Sequence, residues 1–505
     1  MENFDLSQFD SYREDNCLEV KKATEKLPDS LWETYSSFAN TNGGCIILGV
    51  IERKDKSWET TGLKNPSKLK KDFWDTVHNQ KKVNICILSE KDVKTYERGG
   101  DTIMVITVPR ARREDKPVYI NNDMWGGSFR RDWEGDYHCT KSAVLAMLRD
   151  QTDTTPDMKV LENKEIKDLD HDSIRSYRIR YNTTHQGHPW CDLSDEEFLL
   201  RIGAASDETD DGMLHPTAAG LLMFGSFHRI MREFPEYFLD YREKMDPSVR
   251  WTDRVASNSG DWSGNVYDFF TKVAFKLTAD IKKPFKTDGI YRIDDTPVHV
   301  AIREALANCL VNADYFQPWN VVIEKYPDRI VMANPGTIRL GKNQMLRGGI
   351  SQPRNRILLN MFNFIGVGER AGSGVPDIYS IWDKEKFAPP IVEETSGRDE
   401  NPDRTTLTLP LSKNKRKKQA EKTSGKNKRI KQSDKAEISK TTDNKQRIRD
   451  YIKENGSAKT SDLTVLLKLS EARVRALTSE MVKDGTIVPQ GNGRSRCYAL
   501  AKKSR

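Results

Sequence analysis

The sequence predicts an α+β multidomain protein, and three observations carry that prediction. The chain has 505 residues, too many for one hydrophobic core and enough for roughly three or four domains. Apolar runs of strand length (CIILGV, VNICIL, DTIMVITVP) alternate with turn-rich segments over residues 1–150, and helical spacing appears further on. Charge is also segregated. Residues 413–445 carry a net +9 and residues 446–505 a net +7, which leaves residues 1–412 at −9 against an overall +7.

A basic tail on an acidic body suits a phosphate backbone, whose binding is driven by charge neutralisation and counterion release. A solvated linker is the simpler alternative. No apolar run approaches the ~18 residues of a membrane span. The start, MENFDLSQFD, is acidic and lacks a basic-then-apolar signal, so a cytoplasmic location and no membrane partner are expected. The seven cysteines are scattered without a CxxC pair, which argues against zinc knuckles and a disulfide framework. His185, His188 and Cys191 recur every third residue, but no fourth ligand lies nearby, so they read as loop residues. No GxxxxGK[ST] is present, which weakens a P-loop motor.

Five blocks are expected: 1–150, 151–290, 291–412, a disordered basic linker over 413–445, and a small domain over 446–505. In the last, Ile448, Tyr451 and Ile452 mark a first helix that Asn455-Gly456 ends. Thr460-Ser461-Asp462 caps a second helix, Ser470 a third, and TIVPQGNGRSRCYAL forms a hairpin. This order resembles a winged helix-turn-helix. The resemblance places Arg473 and Arg475 on the recognition helix and Arg494 and Arg496 on the wing, in contact with nucleic acid. A protein-interaction winged helix is the alternative.

Helical spacing over VHVAIREALANCLVNADYF puts Glu304 and Asn308 on one face. A carboxylate and an amide there can orient a water and bind Mg²⁺ beside a triphosphate. A polar helix face would explain the pair equally simply. Asp314, the Asn334-Pro335-Gly336 turn, Arg354-Asn355 and the glycine cluster Gly368 to Gly374 follow. In that order they resemble the divergent GHKL-type ATP-binding domain, an α/β sandwich, over roughly residues 295–395. The resemblance implies ATP as ligand and Glu304 as general base. Asn308 would be the Mg²⁺ ligand and Asp314 a further ATP-binding residue, with Asn334 and Gly336 under the nucleotide base and Gly372 and Gly374 over the phosphates. Two departures stand out: Asn-Pro-Gly replaces the usual Asp-led segment, and Asn312-Ala313-Asp314-Tyr315 replaces His-Arg-Asp-Tyr. GHKL-type domains often pair, so a homo-oligomer is also implied.

At the N-terminus, alternation over Cys17 to Lys21 puts Glu19 and Lys21 on one face of a strand. Two carboxylates and a lysine meeting at one point can hold a divalent metal and stabilise phosphorane-like charge. An ordinary structural ion pair is the alternative. The E-x4-E-x-K start, FANTNGG, the ILGV strand and PVYINNDMWGGSFRRDWEGDYHCT resemble a Schlafen/AlbA-like domain over roughly residues 10–145. In nuclease members the positions of Glu14 and Glu19, with an acid after the strand, form a Mg²⁺ or Mn²⁺ site. Glu52 is the nearest match to that acid, and Asp55 the second choice. Arg130 and Arg131 would contact phosphate.

The sequence thus predicts an ATP-binding effector of DNA or RNA, with the catalytic form a nucleotide-gated, metal-dependent nuclease in stress or antiviral defence. The alternative is a non-catalytic DNA-binding transcriptional regulator. A third reading is a protein-interaction scaffold.

Overall fold

Period-two alternation explains the first sheet. Strand β1 (Leu18–Lys21) runs parallel to β2 (Gly44–Leu48), and helix α1 (Ser30–Asn40) makes the crossover between them. Strands β3 (Val93–Arg98) and β4 (Asp101–Val108) complete the order β1-β2-β4-β3. All five residues of β2 are buried. Ile46 and Leu48 pack with Leu31, Tyr35 and Phe38 of α1, whereas Cys45 and Ile47 pack with Phe9 and Trp58 on the opposite face. The apolar run VNICIL stays outside this sheet. The Tyr35 hydroxyl instead donates to the Ile85 carbonyl and accepts from the Ile87 N–H.

The FANTNGG turn is structural. Asn40 donates to the carbonyls of Val118 and Phe129 and accepts from the Val118 N–H. A side chain on Gly44 would run into the Phe38 ring and the Cys17 carbonyl. The hairpin of β5 (Phe129–Asp132) and β6 (Gly135–His138) is thereby held against α1, and α2 (Lys141–Gln151) follows it.

This computed structural model describes residues 4–281, 287–288, 291–292, 295–368, 374–395, 403–412, 433–467, 469–483, 486–491 and 497–500. It divides into two units, Met1–Lys413 and Asn414–Arg505.

A second, six-stranded sheet is built from β7 (Leu239–Glu243), β8 (Asp253–Ala256), β9 (Val321–Lys325), β10 (Arg329–Pro335), β11 (Ile391–Thr395) and β12 (Arg404–Pro410). Its order is β8-β7-β9-β10-β12-β11. Helices α3 (Val266–Thr278), α4 (Pro297–Val311), α5 (Arg356–Phe364) and α6 (Gly374–Lys384) contribute to its core. Here the structure departs from the expected boundary at 290/291. β7 pairs directly with β9, and one hydrophobic core runs from Leu161 to Leu409. The two blocks cannot bury their sheet faces separately, because neighbouring strands come from both.

The C-terminal unit contains helices Ser433–Asn455, Thr460–Leu467 and Glu471–Lys483 and a three-stranded sheet. Ile448, Ile452, Leu463, Leu467, Val474, Leu477 and Met481 form its core with Ile487 and Tyr498. The helix-helix-helix-hairpin order is the expected one. The first helix, however, begins at Ser433, inside the segment expected to be a disordered linker.

Candidate nucleotide and nucleic-acid sites

One turn of α4 separates Glu304 from Asn308, and the Asn308 Nδ2 donates to Glu304 Oε1 at 3.0 Å. The N-terminus of α6 faces this pair. Gly374 opens that helix, and a side chain there would collide with the Glu304 carboxylate and crowd the Asn308 amide. The N–H groups of a helix start have no intrahelical acceptor and favour an anion.

These groups form one wall of a cleft of about 160 Å³. Its floor follows from strand alternation. Met332 and Asn334 of β10 pair with Leu407 and Thr405 of β12, and all four face the cleft. An apolar floor with a few convergent polar groups is the usual make-up of a small-molecule site. Thr405 and Met332 are not singled out by sequence reasoning, although the alternation in TTLTL and VMANP carries the signal.

Of the residues expected at the nucleotide, Glu304, Asn308, Asn334 and Gly374 line the cleft. Asp314 and Gly336 lie behind its wall, both against Arg354. Gly336 has φ +96°, and a side chain there would press on the Arg354 guanidinium. Gly372 lies outside the described residues. Arg354 holds the junction: it donates to the carbonyls of Asn312 and Thr337 and pairs with Asp150 of α2 at 2.5 Å. Arg339 donates to the carbonyls of Pro353 and Asp150.

Asp314 is 3% exposed and pairs with Arg149 at 2.8 Å, with Arg354 at 4.0 Å. Burial pushes its carboxyl up, but Arg354 and Arg149 outweigh burial and hold it below the ordinary 3.8. A carboxylate with a depressed folded pKa contributes stability that is present above its unfolded value. That stability is lost as pH falls through the folded value. Asp314→Asn is therefore expected to flatten the acid limb of the stability profile below about pH 4. Urea denaturation from pH 5 downward reads this, and an unchanged acid limb would remove the role.

The N-terminal carboxylates are neighbours, each with its own partners. Glu14 Oε1 accepts from the Val20 N–H, and the Glu14 N–H lies 3.4 Å from Glu52 Oε1. Glu19 pairs with Lys21 at 2.9 Å and with Arg131 at 2.8 Å. Glu52 pairs with Lys56 at 3.0 Å. Burial pushes the Glu14 carboxyl up, the Val20 N–H opposes this, and the charges of Glu19 and Glu52 add to the rise. Among the described residues no group of three or more His, Cys, Asp or Glu side chains is placed to hold a metal ion. Asp55 caps its own loop by accepting from Ser57 and stands apart from these pairs.

Arg130 and Arg131 point to opposite sides of β5, as strand alternation requires. Arg131 is 1% exposed in its side chain and bridges Glu19 and Asp136. Arg130 pairs with Asp403 at 2.6 Å. Both guanidinium groups are therefore engaged internally rather than presented to a phosphate backbone. In the C-terminal unit Arg475 is exposed and pairs with Glu471 at 2.5 Å. Arg473 falls within the third helix, but its side chain, like Arg494 and Arg496, lies outside the described residues.

Family models match three stretches of the chain. The model "Schlafen, AlbA_2" covers residues 14–140. Residues 14–140 are a Schlafen AlbA_2 domain. This Schlafen domain is followed by a match to a domain of unknown function (DUF8451) over residues 145–240. A match to "Putative ATP-dependent DNA helicase recG C-terminal" covers residues 319–399. Asn334 and Gly374 lie inside that last match, whereas Glu304 and Asn308 precede it. Among solved structures, the DIP2311 protein of Corynebacterium diphtheriae is 15% identical over 96% of this chain and 95% of its own, with a TM-score of 0.39. The N-terminal domain of a putative ATP-dependent DNA helicase RecG-related protein from Nitrosomonas europaea is 25% identical. It covers 27% of this chain and 90% of its own, with a TM-score of 0.21. No curated protein matches. No helix among the described residues is long and apolar enough to cross a membrane.

Proposed function

We propose that this chain binds ATP in the cleft of α4 and α6 and acts on nucleic acid through its Schlafen domain and basic C-terminal unit. The observation that carries the reading is the convergence of Glu304, Asn308 and the start of α6 on one cleft with an apolar floor. Asn308 would ligate Mg²⁺ beside the phosphates, and Glu304 would orient the attacking water. The recG C-terminal match over the same sheet supports it. Arg339 and Arg354 line the cleft and also grip the end of α2, which follows the Schlafen domain. Nucleotide occupancy would therefore be felt by that domain. On the nucleic-acid side, Trp133 at the β5–β6 turn is 73% exposed and offers a stacking face for a base. The C-terminal unit, read as a winged helix with Arg473, Arg475, Arg494 and Arg496, supplies phosphate contacts.

A second reading, metal-dependent cleavage by Glu14, Glu19 and Glu52 with Lys21 beside them, is favoured by one observation. Burial first, and then the charges of Glu19 and Glu52, push the Glu14 carboxyl up, and a divalent cation beside the three would favour its ionised form. A role in stress or antiviral defence would fit either a cutting or a binding effector.

Labelled tRNA, single-stranded DNA and duplex DNA, incubated with Mg²⁺ or Mn²⁺ and with or without ATP, test both readings. Cleavage by the wild type that disappears in Glu14→Gln/Glu19→Gln supports the nuclease. Duplex shifted but never cut makes the chain a non-catalytic regulator. Deleting residues 413–505 is expected to weaken binding steeply, and the wild-type affinity should fall with salt. Salt-independent binding, or no binding to any of these probes, would sink the nucleic-acid reading.

A further inference from the structure

Behind the nucleotide cleft lies a separate cavity, walled by segments more than 200 residues apart. Six cations line it: Arg110, Arg113, Lys116, Arg130, Arg339 and Arg354. Two carboxylates do so, Asp150 and Asp403. Asp150 is shared by Arg339 and Arg354, and Asp403 takes Arg130. Arg113 turns outward to Glu114 and Asp153. Arg110 donates to the Ile338 carbonyl and has Glu394 only at 3.9 Å.

Lys116 is left with the Asn40 carbonyl at 2.5 Å and, among the described residues, no carboxylate at ion-pair distance. It is 9% exposed. Burial, with Arg110 and Arg130 beside it, holds its amine well below the usual lysine range. The Arg130 Nε is also buried without a hydrogen-bond partner among the described residues. A buried amine with no carboxylate beside it and a buried guanidinium N–H with no acceptor are costly, and a bound anion would relieve both.

The size of the cavity selects the anion. Its volume is about 40 Å³, room for roughly three waters and so for one tetrahedral oxyanion. A whole nucleotide is too large. Asn40, Arg110, Arg130 and Thr337 also line a groove open beside Asn42 and Asp132, which gives an entrance.

We propose that this cavity is a phosphate-binding site distinct from the nucleotide cleft. It takes one tetrahedral oxyanion, either as inorganic phosphate or as the terminal phosphoryl group of a nucleic acid. Lys116 and Arg110 are its principal donors, and occupancy ties the Schlafen domain to the wall that carries Thr337 and Arg339.

The test is calorimetric titration of the full chain at constant ionic strength with inorganic phosphate, a 5′-phosphorylated trinucleotide and its 5′-hydroxyl counterpart. Phosphate or the 5′-phosphorylated trinucleotide is expected to bind, and the 5′-hydroxyl form is not. Binding of phosphate alone identifies the free ion as ligand, and binding of the phosphorylated trinucleotide alone identifies a strand end. Lys116→Met and Lys116→Gln are each expected to lose about tenfold or more in affinity, whereas Lys116→Arg retains it. Asn308→Ala, which targets the other cleft, should bind phosphate as the wild type does. Hydrogen exchange on the wild type needs no variant: phosphate should slow exchange over residues 110–118 and 337–341. No binding of either phosphoryl ligand, equal binding by Lys116→Gln, or protection confined to other segments would overturn the assignment.

Discussion

Arg354→Ala is expected to destabilise the first unit by about 3–5 kcal/mol. The side chain is 5% exposed, and it pairs with Asp150 at 2.5 Å while donating to two carbonyls. Removing it leaves Asp150 and the buried Asp314 short of a counter-ion and strips acceptors of their donor. Truncating one partner of a buried pair is far more damaging than losing a surface pair, because the other charge stays behind in a low dielectric. The control is Arg53→Ala. Arg53 and Glu59 sit 2.6 Å apart, but both are exposed, and water replaces the contact. A urea midpoint that falls sharply for Arg354→Ala and stays put for Arg53→Ala confirms the contrast. Equal midpoints would show that Arg354 braces nothing.

Asn308→Ala is expected to weaken ATP binding in the presence of Mg²⁺ by about tenfold to a hundredfold. In the proposed site the Asn308 amide would hold the metal beside the phosphates, and its partner Glu304 is fixed by the hydrogen bond between them. Glu304→Gln should behave differently. The amide side chain keeps the shape and the contact with Asn308 but cannot take a proton. Binding is then retained while any hydrolysis slows by about 10²–10⁴. Fluorescent-nucleotide titration and phosphate release separate the two variants. Unchanged affinity in Asn308→Ala would remove the nucleotide assignment.

What was readable in the sequence depended on the range of the interaction. Glu304 and Asn308 are four apart, so helical geometry alone brings them together. β2 and β4 were legible from short apolar runs bounded by turns. Asp314 was expected at the nucleotide yet lies behind the wall, because only the fold shows which side of a turn faces a cleft. The Schlafen/AlbA-like resemblance made Arg130 and Arg131 phosphate contacts. Their partners, Asp403 and the pair Glu19 and Asp136, include one 273 residues away, which local pattern cannot supply. The 290/291 boundary failed for the same reason: a parallel pairing such as β7 with β9 leaves no local mark.

The pairing of Arg130 with Asp403 also sets an order of events during synthesis. Chains fold from the N-terminus as they emerge, and the Schlafen domain has its own core long before residue 403 is made. Until then Arg130, Arg110 and Lys116 form an open cationic face on a newly folded domain. Docking of the second sheet is what covers it. A fragment ending near residue 140 would keep that face uncovered for good, and part of its affinity for polyanions would belong to the truncation.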